Sequence, residues 1–373
     1  MNIVRKWKIM TSMNPSEAEA AYFKRFARWK IIVILLALAL MLTITFAVAI
    51  GPVQIPPLDV YTIIVKNIPF LGDLVGGGSS SIEEVIVLQV RLPRVLAAVI
   101  VGIDLAVAGV ALQGLLRNPM ADPYILGISA GAGLGASLAI ALGTVFSFFG
   151  LLYSIPLMAF VFALGTVFVV YNIARTGQGV PMLTLLLAGI AISIFLSAIA
   201  TTIKLVSGES VHAIVFWMVG SLITSNWNYV SIALPFTVIG VAVIYVFARD
   251  LNIILLGEEQ AHHLGVETER LKKIMLISAS LITAAAVSIS GIIGFVGLII
   301  PHAMRILVGP DNRILIPSSA LAGTIMLILC DTLARTIISP AELPVGVITS
   351  LLGCPFFIYL LRRKKKSSIW QGE

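Results

Sequence analysis

The chain has 373 residues, 59% hydrophobic and only 12% charged, with a mean hydropathy of +1.04. Soluble domains carry roughly a quarter charged residues, so the composition excludes an ordinary soluble fold and describes a polytopic membrane protein. The net charge of +7 does not point to nucleic acid, because the basic residues flank apolar spans, where they anchor to an anionic inner leaflet.

Long apolar runs are expected to be helices, since lipid offers backbone N–H and C=O groups no partner. The first run, "IIVILLALALMLTITFAVAI" (31–50), follows "KRFARWK" and ends near Ala47-Val48-Ala49. That end looks like a signal-peptide cleavage site. The run exceeds the roughly 7–15 residues of such a segment, however, and matches the ~20 that a span needs. We read it as a retained first span. Further spans are expected at 92–115, 123–143, 152–173, 182–205, 228–248, 271–289, 292–308, 314–334 and 344–361, ten in all. Those at 292–308 and 344–361 are short and rich in Gly and Pro, which predicts broken or tilted helices.

Ten spans put both termini on one side. Twenty Lys and Arg residues then share that side, and five face the other: Lys66, Arg91, Arg94, Lys204 and Arg335. This positive-inside bias assigns both termini to the cytoplasm of a cell (plasma or inner) membrane. Residues 1–30 form a basic cytoplasmic segment, with 1–22 expected to be loosely ordered. Residues 31–361 form one transmembrane domain, and 362–373 a basic cytoplasmic tail. The outside segment 51–90 contains the flexible stretch "VGGGSSS" (75–81).

"RLPR" (91–94) opens the second span. Arg91 and Arg94 share a helix face, and Pro93 suits a helix start. Two cations there oppose the helix dipole at roughly 0.3–1 kcal/mol each, so an anionic partner is expected, either an external protein or lipid phosphate. Arg335 at the outer end of the ninth span completes a candidate basic rim. Asp104 lies inside the second span without an obvious partner, and would line a cavity or be protonated. Asp331 stands four residues before Arg335, in position for a pair. "RNPMADP" (117–123) has two prolines in five residues and reads as a sharp cytoplasmic turn, either a gate lip or simply a turn. "GISAG" (127–131) lacks the context of a nucleophile elbow. "AGAGLGA" (130–136) supplies small-residue faces for close helix packing.

"GEEQAHHLGVETERLKK" (257–273) is a polar island, seven of whose seventeen residues are charged. Ala261, Leu264 and Gly265 fall at i, i+3 and i+4, on one face of a short helix bracketed by Gly257 and Gly265. Such a helix outside the bilayer suits docking to a soluble partner; the alternative is a solvated loop. There is no P-loop and no H-E-x-x-H. His212, His262, His263 and His302 are scattered, and Cys330 and Cys354 lie in apolar runs. No catalytic residue, metal ligand or cofactor site is therefore expected.

The blocks "RLPR…LQGLLRNPMADPYILGISAGAGLG", "LGEEQAHHLGV" and "SGIIGFVGLIIPHAMRILVGPDNRILIPSSALAG…CDTLARTIISPAELPVGVITSLLGCPFFIYLL" resemble the FecCD-type permease subunits of ABC importers for iron-siderophores, haem and cobalamin. The likeness runs from about residue 90 to 361. It implies an all-α type II ABC importer permease of ten helices, working as a homodimer with the translocation path at the subunit interface. A separate cytoplasmic ATPase would bind ATP, and an extracytoplasmic substrate-binding protein would dock outside.

By the same resemblance, 257–266 is the coupling segment, with Glu258, Ala261, Leu264, Gly265 and Val266 as ATPase contacts. Arg91, Arg94 and Arg335 match positions that meet acidic residues of the binding protein. Asn118 and Met120 match the cytoplasmic gate, where relatives usually have Leu at Met120. Met182 and Leu183, in "PMLT", match a second gate where relatives often carry small hydroxyl residues. Asp104 stands where relatives have a small uncharged residue. The cargo order is ferric siderophore, then cobalamin, then haem. From another class, an ion-coupled secondary transporter with Asp104 as its coupling carboxylate remains an alternative.

Overall fold

The computed structural model describes residues 15–51, 53, 55–67, 81–143, 151–177 and 179–366. Residues 1–14, the stretch 75–80 and the last seven residues lie outside these, and with them most of what was expected of the N-terminal segment and of "VGGGSSS". In chain order the helices are α1 (Pro15–Ala49), α2 (Pro57–Lys66), α3 (Ser81–Val85), α4 (Leu92–Leu115), α5 (Ile128–Ala141), α6 (Leu151–Ala174), α7 (Met182–Val206) and α8 (Val211–Val219). They continue with α9 (Trp227–Val246), α10 (Ala248–Ile254), α11 (Glu258–His263), α12 (Thr268–Ser290), α13 (Val296–Val308), α14 (Asn312–Thr336) and α15 (Val345–Lys366). Each of the ten expected spans falls on one of these helices. Seven stretches among the described residues are long and apolar enough to cross a membrane; α5, α13 and the apolar part of α15 are shorter.

Burial follows composition. The window of α4 is 83% buried and that of α12 78%, whereas α1 and α7 are each only 11% buried. α4 is the central post, packed against α9, α12, α13 and α14, while α1 lies on the outer side of α14. A second group forms where α5 nests against α6 and α7. Its closeness comes from the small residues of 130–136. A Cβ on Gly131 would stand 2.6 Å from the Phe162 carbonyl oxygen, and one on Gly135 2.3 Å from that of Met158.

Two boundaries differ from expectation. Helix does not begin at Pro93. It begins at Ser81 and passes through a π-helical turn, Ile86–Arg91, into α4, with the Leu92 N–H donating to the Val87 carbonyl. Pro93 has no N–H to give, and the ladder absorbs that gap by widening one turn. Near 123–143, a 3₁₀ turn (Pro123–Leu126) and a left-handed Gly127 precede α5.

Helices of 13 or 14 residues span only ~20 Å, short of the ~30 Å hydrocarbon thickness. Extended backbone completes them, and it must be paired inside protein. Between α12 and α13 the helix is broken, as the glycines of 291–297 suggested. There the Tyr124 hydroxyl donates to the Ile293 carbonyl at 3.0 Å. The Ser221 N–H donates to the Ser290 carbonyl at 2.8 Å, and the Gly346 N–H to the Gly220 carbonyl at 3.1 Å.

Candidate functional site

The bundle has two chemically distinct ends. At one end lie Arg91, Arg94 and Arg335, all between 3% and 6% exposed. This corrects the expectation of an exposed basic rim, because the three side chains are buried and most of their donor groups are occupied internally. Arg91 donates to the carbonyls of Val48 at 2.7 Å and Ala49 at 2.9 Å, and also to that of Val53. Arg335 reaches the carbonyl of Ala47 at 3.1 Å. Two guanidinium groups thus satisfy the last carbonyls of α1, where the helix dipole favours cations. The supposed dipole penalty at Pro93 disappears, because no helix starts there.

Arg94 forks onto Asp331, with Nη2 to Oδ1 at 2.9 Å and Nε to both oxygens at 3.1 Å. It also donates to Glu342 at 2.7 Å. Asp331 lies 3.2 Å from Arg335 as well, the expected i, i+4 pair, but its aligned hydrogen bonds come from Arg94. Removing one member of such a buried set costs roughly 3–5 kcal/mol, because a charge is left unpaired.

Asp104 is fully buried and faces α9, where the Thr237 hydroxyl donates to Oδ2 at 2.9 Å. It therefore points into protein. Its Oδ1 has no partner among the described residues.

The opposite end carries the turn after α4, residues 175–177 and 179–181, and α10–α11. Leu116 caps α4, and Arg117 follows in left-handed conformation at φ 48°. The Arg117 N–H donates to the Gly114 carbonyl and the Asn118 N–H to that of Gln113, both at 3.2 Å. This is a Schellman end whose glycine seat holds arginine, at a cost of about 1 kcal/mol. Asn118 then accepts from the Met120 N–H at 2.9 Å. Asn118 and Met120 are both exposed on this turn, so the sharp reversal read from the two prolines is present. At the start of α7, Met182 packs partly inward, and Leu183 projects outward at 70% exposure. Leu183 begins an exposed stripe with Leu187, Ile190 and Ile194, one side of a helix by spacing.

The helix between Gly257 and Gly265 is α11. Its C-terminus is a second Schellman motif. The Val266 N–H donates to the Ala261 carbonyl and the Gly265 N–H to that of His262, both at 3.0 Å, with Gly265 at φ 86°. Ala261 and Val266 are buried beneath the motif, while Leu264 is 61% exposed. This corrects the single apolar face expected of Ala261, Leu264 and Gly265. The helix ends before Leu264, so helical spacing no longer sets the side-chain directions. Ala261 and Val266 seat the knob, and Leu264 and Gly265 form its exposed tip.

Glu258 turns inward. Its Oε2 accepts from Lys272 Nζ at 2.6 Å, and its Oε1 lies 3.9 Å from Arg117 Nη2. Lys272, buried near the base of α12, also donates to Glu269 Oε1 at 2.8 Å, and Glu269 Oε2 accepts from the Val180 N–H at 3.2 Å. Sequence reading missed Lys272, Glu269 and Arg117. The i, i+3 spacing of Glu269 and Lys272 was an available signal, but a lysine at the end of a span is also what the positive-inside rule leads one to expect.

Residues 38–363 match the FecCD transport family. The chain belongs to that family. It is 46% identical to the cobalamin import system permease protein of Halobacterium salinarum, over 77% of this chain and 76% of that one. It is 42% identical to the hemin transport system permease protein of Yersinia pestis, over 75% and 84%. Among solved structures it is similar to a metal-chelate type ABC transporter in an inward-facing conformation, with a TM-score of 0.76 and 32% identity over 89% of this chain and 99% of that one. The protein is thus an ABC importer permease, a multi-pass membrane protein of the architecture expected from its sequence. Family membership sets aside the gradient-driven alternative built on Asp104.

Proposed function

We propose that the chain is the permease subunit of an ATP-driven importer of a metal chelate. It would work as a homodimer with its termini in the cytoplasm. The observation that carries the reading beyond family membership is the knob at 257–266. Two glycine-bracketed turns hold an apolar tip, Leu264, outside the bundle, on the side that the Lys/Arg bias assigns to the cytoplasm. A separate ATPase, which binds the ATP, docks there. Ala261 and Val266 hold the tip rigid, and Leu264 and Gly265 make the contact. The apolar stripe of α7 supports a second copy as its partner, with the path between the two. Asn118, Met120, Met182 and Leu183 line the ends of the segments that open and close it. Docking of a substrate-binding protein is proposed for the opposite face, where Arg91, Arg94 and Arg335 set the shape of the surface from within.

Closure of the ATPase pair on ATP shifts the knob, and the spans rock between two packings, each stabilised differently by the partner. Ferric siderophore is the cargo we put first. Cobalamin is the second reading, favoured by the 46% identity to a cobalamin import permease. The test is uptake by vesicles holding the permease, its ATPase and its binding protein. Uptake of the chelate should need ATP and ignore a collapsed proton gradient, and Leu264→Asp should abolish it by releasing the ATPase. ATP-independent uptake, or full uptake by Leu264→Asp, would overturn the reading. Competition between a ferric siderophore and cobalamin decides the cargo.

A further inference from the structure

We propose that Lys272 is a positioning residue that ties the ATPase knob to both gate segments through one alternating chain of charges. The proposal rests on the docking and gate reading above. The chain runs Arg117, Glu258, Lys272, Glu269, and then the backbone N–H of Val180. Its two arms end in different places. Arg117 precedes Asn118 and Met120 in the turn after α4. Val180 stands two residues before Met182 and three before Leu183.

Three features make this more than surface ion pairing. Lys272 is only 3% exposed, so its ammonium group depends on the two carboxylates and has little water to replace either. Each carboxylate is divided, one oxygen for Lys272 and the other aimed at a gate segment. Arg117 keeps a left-handed backbone that glycine would adopt freely, and its side chain is what glycine could not supply. Glu258 stands on the knob itself, directly after Gly257, so a knob moved by its partner carries this carboxylate with it. A displaced knob therefore drags on the gates through side chains, since losing Glu258 would strand a buried cation.

The test uses the assembled permease–ATPase–binding-protein complex with Cys330 and Cys354 replaced by alanine. Single cysteines, Met120→Cys or Leu183→Cys, report maleimide labelling rates with and without ATP and vanadate. In the parent, nucleotide should change the rate at both positions. Lys272→Met should retain the ATPase on co-purification yet shrink both responses roughly 5-fold or more, within the usual span of coupling, and Lys272→Arg should restore part of them. Responses in Lys272→Met equal to the parent's would overturn the relay alone. Should Lys272→Met fail to assemble, Glu269→Gln serves, since it leaves the knob and the Glu258–Lys272 pair in place. It should depress the response at 183 and spare that at 120; equal responses at the two positions would overturn the relay. Retention of the ATPase by Leu264→Asp would sink the docking reading, and the relay with it.

Discussion

At the arginine end, Arg94 and Arg335 share Asp331, and Arg91 and Arg335 hold the last carbonyls of α1, all with almost no exposure. At the knob end, Arg117, Glu258 and Glu269 keep 47%, 37% and 40% of their side-chain surfaces accessible, and only Lys272 is sealed. The first arrangement is closed except at Glu342, so displacing its arginines or Asp331 strands a charge in low dielectric. In the second, Arg117 and the two carboxylates can turn to water, and Lys272 alone depends on its partners. The rocking proposed above would use this asymmetry, with one end clamped and the other free to adopt a second packing. The arginines that sequence reading placed on an external rim are better understood as the clamp.

The largest effect should come from opening the clamp. Arg94→Met leaves Asp331 with only the poorly aligned Arg335, and leaves Glu342 without its cation. A loss of roughly 3–5 kcal/mol is expected, read as a lower unfolding midpoint of the purified protein. Arg94→Lys should recover only part, because a point ammonium cannot reproduce the fork onto two carboxylate oxygens. A midpoint within error of the parent would mean that the two ends tolerate charge loss alike.

A smaller effect of opposite sign is expected at the knob end. Arg117→Gly places the residue that a left-handed seat favours, so stability should rise by about 1 kcal/mol. The same change removes the arm that reaches Glu258, so the nucleotide response at position 120 should fall while that at 183 persists. Higher stability with both responses intact would show that the strained arginine has no mechanical role.

Much of this was legible beforehand. Apolar runs located ten helices, because lipid leaves backbone few options. The prolines of 117–123 and the glycines at 257 and 265 marked turns and caps, which are local events. The α8 helix (Val211–Val219) was missed: nine residues between Gly208 and Gly220 cannot cross a bilayer, and apolar length was the signal in use. The partner of Arg94 was not readable because 237 positions separate it from Asp331, a distance no periodicity reaches. The direction of Leu264 depended on where α11 stops, which is a matter of one residue.

The smallest effect is expected at Asp311, which caps α14 and ties it to α10, the helix leading to the knob. Its Oδ1 accepts from the Arg313 N–H at 3.1 Å and from Asn252 at 2.8 Å, and its Oδ2 accepts from Arg313 Nη2 at 2.7 Å. Burial alone would raise the carboxyl pKa, but the hydrogen bonds from Arg313 and Asn252 outweigh it, and the pKa lies below its ordinary value. The unfolded chain holds this carboxyl near the usual ~3.9, so the folded state favours the ionised form. That stabilisation is present above about pH 4 and is lost as pH falls through the folded value. Asp311→Asn keeps a capping oxygen and removes the charge. It should cost less than about 1 kcal/mol at neutral pH, because Arg313 is half exposed, and the gap to the parent should close in acid. Unfolding midpoints of both proteins at pH 7 and at about pH 2 measure this. A gap that persists or widens at the lower pH would mean that shape, not charge, joins α10 to α14. The knob end would then be clamped much as the arginine end is, and the lever would have no soft side on which to turn.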